Sequence, residues 1–257
     1  MRTGRTLLQT LILITALVRP GVAGEVIVAA ATSMTFPVRE IVEAFEQETG
    51  HTVRLSLGSS GNFYGQIVNG APFDVFLSAD RNYPEELRAA GLIAAGSFEI
   101  YAEGRLVLWT RADSNLDLET LGMDAMLDPS VRRIAIANPT LAPYGRASVA
   151  AMEREGVYDR VASKIVRGDN VSQAAQFVSS GAADIGILAM SLARSEVMAE
   201  GRSWQVPSQL HQPIEQGMVI LERAERSGHL AAARDFRDMV RGPVGRTILA
   251  KYGLAVP

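Results

Sequence analysis

The sequence contains no cysteine, and only three of its 257 residues are histidines. Without cysteine there can be no disulfide bond, no thiolate ligand for a metal and no cysteine nucleophile. A lipid anchor on an N-terminal cysteine is excluded for the same reason. Any polar site must therefore be built from hydroxyl, amide, carboxylate or basic groups.

Patterns typical of enzymes are also missing. His51, His211 and His229 have no second ligand at helical i, i+4 spacing, and we interpret each as a surface residue. The hydrolase motif Gly-x-Ser-x-Gly is absent, as are the glycine patterns of phosphate loops and dinucleotide-binding folds. Ser60 lies in a turn that could hold a nucleophile, but no base is near it in the sequence. These absences argue against catalysis.

The chain has one long apolar run, over residues 7–18, which follows Arg2 and Arg5 and precedes small residues at 21–24. This order predicts a signal peptide over residues 1–23, cleaved after Ala23. The run is shorter than the roughly 20 apolar residues that a membrane-spanning helix needs. Export without a lipid anchor predicts a freely diffusing periplasmic protein.

Basic residues are few once this segment is removed. Cleavage takes away three of the 25 lysines and arginines and none of the 28 acidic residues, which leaves a net charge of about −6. Binding of nucleic acid needs a basic surface, so we exclude nucleic acid as a partner. An anion would have to be held by local dipoles and hydrogen-bond donors.

Two strand-to-helix turns in the first half of the chain are rich in small and hydroxyl residues. The turn of residues 29–37 contains Thr32 and Ser33, and the turn of residues 58–62 contains Ser60. Such residues are common helix caps, which is the simplest interpretation. The first amides of a helix have no partner within it, however, so two such turns at one sheet edge would also form an anion site.

The second half of the chain repeats the pattern. A strand at 133–137 leads into a two-proline turn at 138–145, which leaves the Tyr144 amide free at a helix start. A strand at 164–166 then precedes Asn170, the expected cap of a helix whose first turn contains the Val171 amide. Four turns of this kind predict two pairs of anion-binding groups that face each other.

This order of segments predicts two α/β lobes. One comprises residues 24–104 and 216–257, and the other comprises residues 105–215. The two crossings between them would form a hinge beside an interlobe cleft. A cleft that offers only donors favours a fully ionised tetrahedral anion, because a protonated anion also needs an acceptor.

Several segments, read in order, resemble a known family. They are AAATS at 29–33, GSSG at 58–61, DVFLSAD at 74–80, NPTLAPYGR at 138–146, RGP at 241–243 and YG at 252–253. These segments resemble the periplasmic molybdate-binding proteins of ABC transporters. The resemblance implies a type II periplasmic-binding-protein fold, with two α/β lobes that each contain a mixed sheet flanked by helices. It also implies a monomer without a cofactor, which delivers molybdate or tungstate to a membrane permease.

The resemblance assigns contacts with the ligand to five residues. Ser33 and Ser60 would give hydroxyl and amide donors from the first lobe, and Tyr144 and Val171 would give backbone amides from the second. Thr32 is an additional candidate, because some members use a threonine before the first ligand residue. All of these groups would bind the oxygen atoms of the anion, so no residue is expected to coordinate the metal directly.

This chain departs from the family pattern at one position. Some members have a tyrosine whose hydroxyl contacts the oxyanion, where this chain has Ala189 after Leu188. We hypothesise that the Tyr144 hydroxyl replaces the missing donor.

Other functions remain as alternatives. The cleft could bind sulfate or another oxyanion, since the tetrahedral ions differ chiefly in size. A regulatory module of the same fold is disfavoured by the signal peptide and by the lack of a DNA-binding segment. An exported enzyme that uses Ser60 is the least favoured.

Overall fold

The computed structural model describes residues 24–257, so the predicted signal peptide lies outside the described residues. No helix in this described range is long and apolar enough to cross a membrane. The described chain forms ten strands and eleven α-helices, together with short 3₁₀ segments. The strands are β1 (Glu25–Ala31), β2 (Thr52–Gly58), β3 (Val75–Leu77), β4 (Glu99–Gly104), β5 (Leu106–Thr110), β6 (Ile134–Ala137), β7 (Ile165–Gly168), β8 (Ile185–Ala189), β9 (Arg202–Gln205) and β10 (Ile214–Ile220). The helices are α1 (Thr35–Thr49), α2 (Ser60–Val68), α3 (Asn82–Ala89), α4 (Leu118–Leu121), α5 (Pro143–Arg154), α6 (Tyr158–Val161), α7 (Val171–Ser179), α8 (Met190–Ala193), α9 (Arg223–Arg226), α10 (Leu230–Arg241) and α11 (Pro243–Lys251).

The first sheet has the strand order β2-β1-β3-β10-β4. Strand β1 is parallel to β2 and β3, whereas β10 is antiparallel to both β3 and β4. Ala31, at the end of β1, pairs with Gly58, at the end of β2. Because both strands end at the same level, the turns that follow them leave the sheet side by side.

The second sheet has the strand order β7-β6-β8-β5-β9. Strand β6 is parallel to β7 and β8, and β5 is antiparallel to β8 and β9. Ala137 pairs with Gly168, so β6 and β7 also end together. The chain passes between the two sheets at Arg105 and again between β9 and β10. In each sheet, four strands thus run in one direction, and the strand that arrives from the other sheet, β10 or β5, runs antiparallel to its neighbours.

The two sheets pack in separate hydrophobic cores. On one face of the first sheet, Phe45 of α1 packs edge-on against Phe236 of α10, with ring centroids 5.3 Å apart. The other face buries Phe63 and Phe76. All four residues of β6 are buried, as expected for a central strand covered on both faces.

Three helices begin at residues of the predicted turns. Helix α2 begins at Ser60, α5 at Pro143 and α7 at Val171. The Asn62 amide donates to the Ser59 hydroxyl (3.4 Å), so the cap of α2 is Ser59 and Ser60 is the first helical residue. These starts place the small and hydroxyl residues of the turns in the first helical turns, where amides lack partners within the helix.

The interpretation of the histidines as surface residues was wrong for two of the three. His51 and His211 are 8% and 7% exposed. His51 accepts a hydrogen bond from the Gly24 amide (2.8 Å), and its other ring nitrogen lies 3.1 Å from an Asp235 oxygen. These partners are distant in the sequence, so local polarity could not reveal them.

Candidate functional site

A small cavity lies between the two sheets, where their strand-to-helix turns meet. The structure brings all five residues of the predicted site to this cavity. Ser33 and Thr32 follow β1, Ser60 follows β2, Tyr144 follows β6 and Val171 follows β7. The four turns converge because the paired parallel strands of each sheet end at the same position along the sheet. Open α/β sheets bind their ligands at this carboxyl edge.

On the side of the first sheet, the start of α2 at the cavity has one amide that is available to a ligand. The next two amides are used elsewhere, because Gly61 donates to the Leu141 carbonyl (2.9 Å) and Asn62 donates to the Ser59 hydroxyl. The Ser60 amide precedes them as the first of the helix, and the helix itself offers it no acceptor. It is therefore suited to a ligand.

On the side of the second sheet, two helices provide equivalent amides. Pro143 occupies the first position of α5 and has no N–H, while the Gly145 and Arg146 amides both donate to the Ala142 carbonyl. Tyr144 thus carries the first amide of α5 that can serve a ligand. Val171 is the first residue of α7, so its amide is likewise without an acceptor in the helix, and the cap of α7 is the Asn170 side chain, as predicted.

Two serine hydroxyls add donors from the first sheet. The Ser60 hydroxyl accepts a hydrogen bond from the Ala79 amide (2.9 Å), which leaves its own proton to be donated. Ser33 is 1% exposed, and its hydroxyl is the one buried side-chain polar atom without a hydrogen-bond partner in residues 24–257. A buried hydroxyl without a hydrogen-bond partner destabilises the folded protein. The Ser33 hydroxyl therefore indicates a ligand that forms the missing hydrogen bond.

All the residues that line the cavity in the described chain are neutral. Positive potential comes from the helix starts, whose aligned peptide dipoles favour negative charge. Within residues 24–257, no group of three or more histidine, aspartate or glutamate side chains is arranged to hold a metal ion. The donor set therefore suits the oxygen atoms of an anion.

Charged groups lie just beyond the cavity, where Arg146 of α5 forms an ion pair with Asp80, which follows β3. The Arg146 guanidinium also lies 5.4 Å from the centre of the Tyr83 ring. Burial raises the pKa of Asp80, and this effect exceeds the opposing effects of the Tyr83 amide and Arg146. This pair joins the two halves of the molecule beside the site.

Further hydrogen bonds across the cleft show that the two halves are closed on each other. Ser172 of α7 donates from its hydroxyl to the Thr32 carbonyl (3.1 Å) and from its amide to the Thr32 hydroxyl (3.4 Å). Ser191 donates to the Ser33 carbonyl (2.5 Å). Thr32 is thus engaged with the opposite half as well as lining the cavity.

The Tyr144 hydroxyl accepts a hydrogen bond from the Gln216 side-chain amide (3.2 Å). It lies so close to Gly104 that a side chain there would overlap it. The sequence pattern does not reveal the contacts of Gln216, Ser172 and Ser191 or the ion pair of Asp80 with Arg146. Nothing in the local sequence around Gln216 indicates that its side chain is buried. In the structure, the pairing of β10 with β4 shifts register between Gln216 and Gly217.

Comparison with known proteins places this architecture in a family. The sequence profile of the bacterial extracellular solute-binding proteins matches residues 26–255. The chain belongs to this family. Two relatives of this solute-binding protein are molybdate-binding proteins named ModA. The one from Rhodobacter capsulatus is 40% identical over 255 residues, which are 98% of this chain and 96% of the relative. The one from Azotobacter vinelandii is 40% identical over 233 residues, 90% of each protein.

A solved structure supports the same assignment. The Azotobacter vinelandii periplasmic molybdate-binding protein superimposes on this solute-binding protein with a TM-score of 0.83 at 36% identity, covering 90% of this chain and 99% of that chain. The match confirms the predicted fold of two mixed sheets flanked by helices. The matched relatives are binding proteins, which agrees with the prediction that the chain is not an enzyme.

Proposed function

We propose that the chain is the periplasmic substrate-binding component of an ABC importer and that it binds molybdate in the cleft between its lobes. The observation that carries this proposal is the convergence of amides from three helix starts, and of two serine hydroxyls, on one neutral cavity. The relatives at 40% identity are named for molybdate binding. Ser33, Ser60, Tyr144 and Val171 would hold the ion, and Thr32 would contribute from the same turn.

Neutral donors are sufficient for tight binding of such an ion. A hydrogen bond to a charged acceptor contributes about 1.5–3 kcal/mol. Several such bonds in a closed cleft offset the loss of hydration of the anion without a counter-ion. Tungstate has the same charge and shape as molybdate, so we propose that it binds as well.

The proposed role includes export and delivery. Residues 1–23 would direct the chain to the periplasm, where the loaded monomer would present the ion to a membrane permease. The two lobes, residues 24–104 with 216–257 and residues 105–215, would open and close about the two crossings of the chain.

Calorimetry of the mature protein tests the proposal directly. Titrations with molybdate, tungstate, sulfate and phosphate should show tight binding of the first two and much weaker binding of the others. Absence of heat with molybdate and tungstate would refute the proposal, and tight binding of sulfate alone would reassign the site to that anion.

We expect Ser33→Ala to weaken molybdate binding about 10- to 150-fold, the factor that corresponds to the loss of one hydrogen bond to a charged group. The ligand-free protein should keep its stability, because the hydroxyl has no partner within the described residues. Calorimetry and thermal unfolding with and without molybdate measure the two effects. Ser179→Ala is a suitable control, since its hydroxyl bonds only to the Gln176 carbonyl on α7 (3.2 Å). Equal losses in the two variants would contradict a role for Ser33 in binding.

We expect Asp80→Asn to weaken molybdate binding a few-fold, because a partly exposed ion pair such as that with Arg146 contributes about 0.2–1 kcal/mol. Since burial raises the pKa of Asp80, the carboxylate is present above that raised value and is lost as the pH falls through it. The affinity of the wild-type protein for molybdate should therefore decline as the pH falls through the pKa of Asp80. The affinity of Asp80→Asn should not show this decline. Adding Arg146→Gln completes a double-mutant cycle, and a coupling energy of zero would exclude a contribution from the pair.

A further inference from the structure

The first turn of α1 contains a proline, and this proline removes one hydrogen-bond donor beside the candidate site. Pro37 is the third residue of α1 and has no N–H. In an α-helix the amide at this position would donate to the carbonyl four residues earlier, which belongs to Ser33. Ser33 lies in the 3₁₀ turn that leads into α1. The sequence therefore leaves the Ser33 carbonyl without its α-helical donor.

The opposite half of the cleft supplies a donor to this carbonyl. Ser191, at the start of α8, donates from its hydroxyl to the Ser33 carbonyl (2.5 Å) across 158 positions of the sequence. Ser191 is 2% exposed and Ser33 is 1% exposed, so the contact is shielded from water. The residues of the described chain that line the cavity do not include Ser191. Ser191 can therefore act on a ligand only through Ser33.

Ser172 makes the corresponding contact one residue earlier in the same turn. Its hydroxyl donates to the Thr32 carbonyl (3.1 Å), which also accepts from the Thr35 hydroxyl (2.7 Å). The Thr32 carbonyl and the Ser33 amide belong to one peptide group. A hydrogen bond to the carbonyl of a peptide group polarises the group and strengthens its N–H as a donor. Ser172 thus acts on a candidate donor of the opposite half.

We propose that Ser191 and Ser172 are positioning residues for the bound oxyanion. From one half of the cleft they donate to two carbonyls of the turn that carries Ser33, and this fixes the donors of that turn when the halves close. The turn depends on Ser191 because Pro37 cannot supply the bond from within α1. This inference rests on the proposed function and adds residues that determine affinity without contact with the ligand.

We expect Ser191→Ala to weaken molybdate binding about tenfold, equivalent to 1.4 kcal/mol, because the Ser33 carbonyl would be buried without its donor in the closed cleft. Calorimetry measures the affinity, and displacement of radiolabelled molybdate by excess unlabelled molybdate measures the rate of release. Release should become faster by about the same factor, since the contact forms only after the anion has entered. Ser195→Ala is the matched control, because Ser195 is also buried and donates to the Leu192 carbonyl of its own half (2.6 Å).

Pro37→Ala tests the proposed reason for the dependence on Ser191. The alanine has an N–H that can donate to the Ser33 carbonyl from within α1. In this background, Ser191→Ala should weaken binding only about threefold or less. Ser172→Ala should also weaken binding, but Pro37→Ala should not reduce that loss, because an amide at position 37 is aligned with the carbonyl of Ser33 and not with that of Thr32.

Three results would overturn the inference. The first is release of molybdate from Ser191→Ala at the rate of wild type or of Ser195→Ala. The second is an equal effect of Ser191→Ala with and without Pro37→Ala. The third is an equal loss of thermal stability by Ser191→Ala with and without molybdate, which would assign the hydroxyl a purely structural role.

The remaining outcomes also decide between the alternatives. If Pro37→Ala does not fold, the release rates of Ser191→Ala, Ser172→Ala and Ser195→Ala settle the inference, and faster release from the first two alone supports it. Failure of the proposed function is a separate result, because the wild-type protein would then not bind molybdate.

Discussion

Val171→Pro is expected to weaken molybdate binding about 100-fold or more while the protein stays folded. Proline has no N–H, so the variant loses one hydrogen bond to the anion, worth about 1.5–3 kcal/mol, and places a ring carbon where the proton was. The first position of a helix tolerates proline. Asn170 before it has the extended backbone that proline requires, with φ −150° and ψ 174°. Calorimetry measures the affinity, and thermal unfolding without ligand measures the stability.

Val171→Ala is the matched control for this substitution, because it keeps the amide and shortens the side chain. Val171 is buried, so the alanine variant should lose stability through lost packing. It should lose far less affinity than the proline variant. The two variants thus distinguish the contribution of the Val171 amide to molybdate binding from that of its side chain. Equal molybdate affinities of the two variants would show that the Val171 amide does not contact the ion.

Gly61→Ala is expected to weaken molybdate binding about 5- to 150-fold, because overpacking at a close contact costs about 1–3 kcal/mol. A methyl group at this position would lie 2.8 Å from the Leu141 carbonyl oxygen and 2.7 Å from the Tyr83 hydroxyl. Tyr83 can move, but the Leu141 backbone belongs to the opposite half of the cleft. The methyl group would therefore hold the halves apart in the closed state, and calorimetry would detect the loss.

Gly65→Ala provides the control on the same helix. No atom lies within 4 Å of a methyl group at Gly65, so this substitution cannot obstruct closure. Both variants should gain helix stability of up to about 1 kcal/mol, because alanine is a better helix former than glycine. Small-angle scattering with saturating molybdate should report a more open average shape for Gly61→Ala alone. If both variants bind like wild type, contact at Gly61 does not limit closure.

The fold and the convergence of the site were accessible from the sequence because the signals that encode them are local. A β-branched or apolar strand, a run of small and hydroxyl residues and a helical pattern define each turn. The parallel pairing of β1 with β2, and of β6 with β7, then brings the turns to one edge of each sheet. The local patterns placed Ser33, Ser60, Tyr144 and Val171 at these turns, and the family resemblance implied their contacts with the ligand.

The groups that orient the site could not be predicted, because their partners are remote in the sequence. Ser172 meets Thr32 across 140 positions, and Gln216 meets Tyr144 across 72. Gln216 reads as one polar residue in a loop between Pro213 and Gly217, and only its place on β10 puts it inside the protein. The pairing of the buried His51 with Asp235 was hidden for the same reason.

The four principal anion-binding residues divide evenly between the halves of the cleft. Ser33 and Ser60 belong to the first sheet, and Tyr144 and Val171 belong to the second. If the two proposed lobes separate, each would retain an incomplete half-shell of neutral donors, and neither would keep a fixed positive charge at the cavity that could hold the ion electrostatically. Opening by itself would thus convert a tight site into two weak ones, and a permease that pulls the lobes apart would release the anion without neutralising a counter-charge.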